Sequence, residues 1–367
     1  MKQLKVVIDA QFGSTGKGLL ASVLAEQDSP DTLITAFAPN AGHTSYMADG
    51  TKLIHKMLAN GITSKNTERV LIGPGAVINE DVLVREIENA EKLGLLSFDR
   101  VFVHKNAACV TPAHIEAEKD FGRIGSTQTG SGAAAIQKLV RDPDNMNTAG
   151  TAICDPRIRV VDDIGYLAEL GKARVAQIEG AQGFGLSIQH GFYPYTTSRD
   201  VSPAQIMADC GIPWRYAKNA EIVGVLRTYP IRVANKTGSS GPCYPDQREI
   251  SFADIGQDVE LTTVTKLPRR IFTYSKNQME HACLVCGFDS AMINFANYCQ
   301  TFEELSTIID HLSTMTKVRY IGFGPKNTDV VDIKGKPWGS AQHELMHRWQ
   351  QSRQVEIDFR GGKNDQK

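Results

Sequence analysis

Gln11-Phe12-Gly13-Ser14-Thr15-Gly16-Lys17-Gly18 follows the apolar run Lys5-Val6-Val7-Ile8 and leads into a helix-compatible stretch. At a strand end, such a loop aims backbone N–H groups and the positive end of a helix dipole at an anion. Lys17 adds a charge-assisted contact to phosphate. The standard nucleotide-phosphate loop has glycine in place of Gln11 and a hydroxyl residue in place of Gly18, so the match is partial. The competing explanation is a tight turn with no ligand, and three glycines with a lysine at one strand end favour the anion site. A second loop, Pro39-Asn40-Ala41-Gly42-His43-Thr44, follows the next apolar run. Alone, His43 reads as a surface histidine. Two loops facing the crevice of one parallel sheet give it a proton-transfer or phosphate role.

Positioning these loops requires a sheet, and the chain has the pattern for one. The periodicity predicts strands at Lys5-Ile8, Thr32-Phe37, Val101-His104, Arg174-Ile178, Glu221-Leu226, Ala291-Phe295 and Val318-Gly322. Predicted helices are Lys17-Glu26, Asp81-Lys92, Pro112-Phe121, Val201-Cys210, Phe302-Leu312 and Ala341-Gln351. This alternation predicts an α/β fold around a mainly parallel central sheet. No repeat or Pro/Ser-rich linker divides the chain. One large domain over residues 1–360 with insertions, then a polar tail at 361–367, is the expected organisation.

With 40 basic against 41 acidic side chains in 367 residues, the charge gives no general case for nucleic acid or an anionic membrane. No apolar run approaches the roughly 20 residues needed to span a bilayer, and the N-terminus lacks a signal-peptide pattern, so a cytoplasmic location is expected. Seven dispersed cysteines fit reduced thiols. Cys283-Leu-Val-Cys286 supplies two ligands where zinc needs four, and no second pair follows. His343-Glu344-Leu345-Met346-His347 spells a zinc-protease motif, yet no further His or Cys follows it, so it reads as a decoy.

The two loops together resemble those of the adenylosuccinate synthetases, and further matches run in the family order. They are Ile124-Gly125-Ser126-Thr127 through Lys138 and Arg141, Glu179-Gly180-Ala181-Gln182-Gly183, and His190 through Ser198. Val264-Thr265 with Arg269-Arg270, and Gly322-Phe323-Gly324-Pro325, complete the set. The resemblance implies a P-loop-NTPase-like ligase that phosphorylates O6 of a purine monophosphate and then displaces the phosphate with the aspartate amine. It implies catalytic roles for Ser14, Lys17, His43 and Gln182. Gly13, Thr15, Gly16, Lys17, Gly18, Gly42, His43 and Thr44 would take the donor phosphates, and Asn294, Asn297, Gly322, Gly324 and Pro325 the donor base. The purine monophosphate would meet Ser14, Asn40, Ser126, Thr127, Gln182, Thr197, Val233 near the ribose, and Arg141 from a second subunit of a homodimer. Val264, Thr265, Arg269 and Arg270 would take aspartate. Mg2+ is implied as cofactor, held by phosphate oxygens, water and the Gly42 carbonyl, with Ser14 as a further oxygen.

Two departures bear on the substrates. Ser14 and Thr15 stand where the family has two acids, so no carboxylate is available there as base or metal ligand. A small neutral hydroxyl leaves room for a purine 2-amino group, which guanine has and hypoxanthine lacks. Asn297 stands where the family has the aspartate that reads guanine in GTP; an amide both donates and accepts, as the adenine edge requires. Both departures resemble the viral branch that uses dGMP, so the expected substrates are dGMP, aspartate and ATP or dATP, in host cytoplasm. An ordinary IMP- and GTP-using synthetase and a catalytically silent nucleotide-binding regulator remain the alternatives.

Overall fold

Val6, Val7 and Ile8 are buried whichever way they point, as expected of a strand covered on both faces of a parallel sheet. They belong to the strand Gln3–Asp9, near the middle of a ten-stranded sheet. The computed structural model describes residues 1–119, 127–234, 239–262, 266–336 and 338–364. Outward from Gln3–Asp9 on one side lie Val175–Gly183, Thr32–Thr35, Arg69–Ile72, Val101–His104 and Arg159–Val161. On the other lie Glu221–Arg227, Ser290–Asn294, Lys317–Gly322 and Val330–Asp332. Every neighbouring pair is parallel except the last, where Val330–Asp332 runs antiparallel and closes the edge.

Side-chain caps set the helix starts. Asn79 accepts from Val82 N ahead of Glu80–Lys92, Ser202 from Gln205 N ahead of Pro203–Asp209, and Thr301 from Glu304 N ahead of Phe302–Ser313. The expected α/β class and mainly parallel sheet are what the chain adopts. The three-residue strands Arg159–Val161 and Val330–Asp332 are too short to carry a period, and they escape the sequence pattern. Val175–Gly183 runs five residues past its expected end, through a Glu-Gly-Ala-Gln segment poor in strand formers. The last helix, Trp338–Asn364, extends beyond Gln351 and into the residues expected as a polar tail. The helix from Pro112 ends at Lys119 among the described residues, and Phe121 lies outside them.

A hairpin, His43–Tyr46 against Lys52–His55, follows the second strand. A small sheet of Ile231–Arg232, Arg270–Phe272 and Glu249–Ile250 flanks the main one. Among the described residues, no helix is long and apolar enough to cross a membrane.

Candidate active site

The glycine loop is shaped from inside by Asp9, the last residue of its strand and fully buried. Asp9 Oδ1 accepts from the backbone N–H of Gln11 (2.8 Å) and Gly13 (3.3 Å). Its Oδ2 accepts from Thr15 N (3.2 Å), Thr15 Oγ1 (2.6 Å) and Lys17 Nζ (3.4 Å). One carboxylate thus folds the loop and holds its lysine. The loop is also pinned to two neighbouring strands. Gln11 exchanges hydrogen bonds with the Arg227 backbone, and Asn294 Nδ2 donates to Thr15 O at 2.9 Å. Gly16 has φ 98°, and a Cβ there would stand 2.2 Å from Asn294 Nδ2. Side chains are excluded at this position twice over. Gly18 opens the helix Lys17–Asp28 against the hairpin, where a Cβ would meet Thr44 O at 2.5 Å. The two sequence loops are therefore in direct contact.

His43 starts the hairpin and is stacked on Phe37, ring centroids 3.9 Å apart. Its Nδ1 lies 3.0 Å from Glu179 Oε1. Glu179, fully buried on the long strand, also accepts from Asn60 N at 2.9 Å and Asn60 Nδ2 at 3.1 Å. Burial works to raise the Glu179 carboxyl, but the bonds from His43 and Asn60 outweigh it and hold it below its ordinary value. The ionised carboxylate accepts Nδ1–H, fixes the ring and leaves Nε2 without a partner among the described residues. Opposite His43 in the hairpin sits buried His55, which loss of water pushes down to about 4. It is a neutral spacer.

Beyond this pair lies a small cleft whose polar lining is Asn40, Ser131, Gln182, Thr197, Ser198 and Arg199. Gln182 adopts φ 62° at the end of its strand and donates from Nε2 to Asn40 Oδ1 at 3.3 Å. Thr127 touches the hydroxyl of Thr129, which in turn meets Ser131 at 2.8 Å. Arg141 caps the far end of the helix Ser131–Val140, exposed, and is not part of this lining. Ser126 lies outside the described residues, as do Val264 and Thr265. Val233 is exposed beside the small sheet.

The opposite wall is cationic. Arg269 Nη1 donates to Ser14 Oγ, and its Nε to Leu261 O at 3.2 Å. Arg227, fully buried, donates from Nη1 to Ser14 O (3.4 Å) and Glu260 Oε2 (3.2 Å), and lies 3.8 Å from the Phe295 ring centroid. Burial works to raise the Glu260 carboxyl, but Arg227, Arg269 and the Tyr298 hydroxyl together outweigh it and hold it down. Arg270 differs from Arg269 in being committed. It forks onto Glu249 at 2.6 and 2.8 Å and onto Ser240 and Gly241.

At the end expected to take the donor base, Asn294 and Gly322 close neighbouring parallel strands, and a Cβ on Gly322 would stand 2.3 Å from Asn294 Oδ1. Asn297 sits in the short turn Ala296–Tyr298 beyond Phe295. Gly324 and Pro325 follow Gly322, with Gly324 tight against Asp329. Asn294 therefore belongs to the loop's framework as well as to this end. Sequence reasoning did not assign Asp9, Asn60, His55, Arg227, Glu260 or Arg199. A carboxylate ending a buried strand beside a glycine loop was the one available signal, and it pointed to Asp9.

Away from the cleft, His343 and His347 are exposed on the last helix, and Glu344 pairs with Lys336. Cys283 and Cys286 are free thiols on the helix Lys276–Cys286. No cluster of three or more metal-ligating side chains occurs among the described residues.

The adenylosuccinate synthetase family model matches residues 6–149 and 152–333. The N6-succino-2-amino-2′-deoxyadenylate synthase of cyanophage S-2L is 46% identical over 338 residues, covering 90% of this chain and 92% of its own. The enzyme of the same name from Acinetobacter phage SH-Ab 15497 is 40% identical over 390 residues, covering 97% and 100%. The solved structure of the cyanophage S-2L succinoaminodeoxyadenylate synthetase, bound to dGMP and dATP as an energy donor, superposes with TM-score 0.88 at 44% identity, covering 95% of this chain and 99% of that one. The Plasmodium falciparum adenylosuccinate synthetase shares the fold, with TM-score 0.74 at 19% identity, covering 90% of this chain and 100% of that one. Loop, histidine and cleft stand together in a chain matched nearly end to end, which therefore belongs to the adenylosuccinate synthetase family.

Proposed function

We propose that this chain joins L-aspartate to C6 of dGMP, with ATP or dATP as phosphate donor, to give 2-amino-N6-succinyl-dAMP, ADP or dADP, and phosphate. The observation that carries the choice of acceptor is the Ser14 hydroxyl under Arg269, with Thr15 turned inward onto Asp9. No carboxylate stands at the tip of the loop, and a 2-amino group meets a hydroxyl there. The phage relatives named for this product, and the one solved with dGMP and dATP, support the same reading.

The γ-phosphate passes to O6 as N1 gives up its proton, relayed by the Ser14 hydroxyl to a carboxylate or the amine of the bound aspartate; the neutral amine then attacks C6 and expels phosphate. Lys17 and the loop amides stabilise the transferring phosphoryl group. His43 points Nε2 at the developing charge on O6, and when the ring takes a second proton Glu179 balances it. Gln182 reads the O6 edge. Arg269 exchanges its contact with Ser14 for a carboxylate of aspartate, as a planar fork does readily. The purine phosphate rests on Asn40, Thr127 and Thr197.

The donors present fit a magnesium ion carried mainly by phosphates and water. Asp9 spends all its hydrogen bonds inside the loop, which leaves the Gly42 carbonyl and the Ser14 oxygen. When bound, the ion neutralises phosphate charge. A homodimer in which Arg141 reaches the partner's cleft is supported by apolar surface beside it. Ile136, Leu139, Val140 and Met146 are 53, 77, 63 and 57% exposed. Sedimentation should give a dimer, and Leu139→Lys a monomer with weakened nucleotide binding.

The deciding experiment is a substrate matrix: dGMP, GMP and IMP, each with aspartate and ATP, dATP or GTP, read as phosphate release. Turnover confined to dGMP with an adenine donor is expected. Turnover of IMP with GTP would replace this reading with that of an ordinary synthetase, and binding without aspartate-dependent release with that of a regulator. Asn297→Asp should shift donor use from ATP towards GTP.

A further inference from the structure

A phosphate monoester brings about two negative charges into its site, and they require positive charge close by. Of the described residues lining the monophosphate cleft, eight are neutral and one is charged: Arg199. Its backbone belongs to the loop that carries Thr197, where its carbonyl accepts from Ile188 N–H at 3.0 Å. The side chain is 18% exposed, so it is largely held. Only Nη1 is engaged, donating to Ala36 O at 2.7 Å and lying 3.5 Å from Asp209 Oδ2. Nε and Nη2 make no hydrogen bond to any described residue and are not sealed from solvent.

Two further facts keep this guanidinium electropositive. Asp209 is its only carboxylate partner among the described residues, at the long end of hydrogen-bond distance, and burial raises that carboxyl towards its neutral form. Lys138, whose Nζ donates to Pro74 O at 2.6 Å, lies near enough for the two cations to repel. Arg141, the other basic residue expected for this phosphate, lies at the far end of its helix and outside this lining.

We propose that Arg199 is a substrate-binding residue that supplies the monophosphate with a fixed cation from its own chain, through Nε and Nη2. The anchor on Ala36 and Asp209 orients the fork in advance, so little conformational freedom is lost when phosphate arrives. The inference rests on the reading of this cleft as the monophosphate site.

The test measures binding of dGMP, IMP and their phosphate-free counterparts, deoxyguanosine and inosine, to the wild type and to Arg199→Gln. Arg199→Gln should weaken whichever monophosphate the wild type prefers on the order of 10- to 100-fold and leave the matching nucleoside unchanged. Arg199→Lys, which keeps the charge and loses the fork, should fall between them, and it carries the test if the glutamine variant does not fold. Equal losses for nucleotide and nucleoside, or no loss in a variant with an unchanged melting midpoint, would overturn the proposal and leave Arg199 as a brace between Ala36 and Asp209. If the wild type binds IMP and not dGMP, the choice of substrate fails while the inosine comparison still judges Arg199.

Discussion

On one side of the glycine loop, His43 meets a buried carboxylate that also takes two donors from Asn60, and the ring is clamped on Phe37. On the other, Ser14 meets one arginine through its hydroxyl and another through its carbonyl. The first side is saturated: every oxygen of Glu179 is used, and nothing need move for the chemistry. The second is poised: Arg269 is held by a neutral hydroxyl, which a substrate carboxylate would displace. On the proposed reading, the site keeps its histidine rigid while the part that would recognise substrates exchanges partners. The carboxylates missing from the loop tip are also balanced here. Glu260 satisfies Arg227 from outside the loop, and Asp9 satisfies Lys17 from beneath it.

This contrast can be broken at several points. Removing the charge on the rigid side should cost most. Glu179→Gln should lower kcat about 1,000-fold with KM for the purine within a few fold, since the ring loses its orientation and its counter-charge. A parallel rise in KM would show that Glu179 serves binding instead. Asp9→Asn breaks a buried ion pair and should destabilise folding by about 3 kcal/mol in urea titrations. A change under about 0.5 kcal/mol would mean that Lys17 and the loop N–H groups do not depend on it.

Acid should also find the rigid side. His55 falls from 6.5 to about 4 on folding, so the unfolded chain binds the extra proton between those values. Stability is complete above pH 6.5 and declines as pH falls to about 4, by up to about 3 kcal/mol from this group. The depressed Glu179 carboxyl adds a loss in the acid range, as pH falls through its folded value. Unfolding free energies from pH 7 to 4 should show the slope, and His55→Asn should flatten it. The smallest effect belongs to the poised side. Ser14→Asp would pair with Arg269 and crowd the 2-amino group, lowering kcat/KM for dGMP about tenfold and improving IMP, with stability little changed. An unaltered preference would remove Ser14 from the specificity of the site.

Much of this is legible in the sequence. The spacing of Gly13, Gly16 and Lys17 after an apolar run marks the phosphate loop, and the alternating pattern marks the parallel sheet. The family resemblance places His43, Gln182 and Arg269 in one site, where the fold brings them round one loop and cleft. What stays hidden depends on contacts distant in sequence. Glu179 reaches His43 across 136 positions, and Glu260 reaches Arg227 across 33. No local period reports such pairs. Arg199 escapes for another reason: in a loop of mixed polar residues, a lone arginine reads as solvated surface until the cleft beside it is seen.

Asn294 stands between two glycines. Its Nδ2 is 2.2 Å from where a Cβ on Gly16 would lie, and its Oδ1 is 2.3 Å from where one on Gly322, at the next strand end, would lie. A side chain at Gly16 would push the Asn294 amide off Thr15 O, and one at Gly322 would push it off Phe295 N. A substitution at one of these three positions is therefore felt at the other two. A change aimed at the proposed donor-base end would disturb the glycine loop if made at Asn294, whereas Asn297 lies in the next turn and leaves the Asn294–Thr15 brace in place.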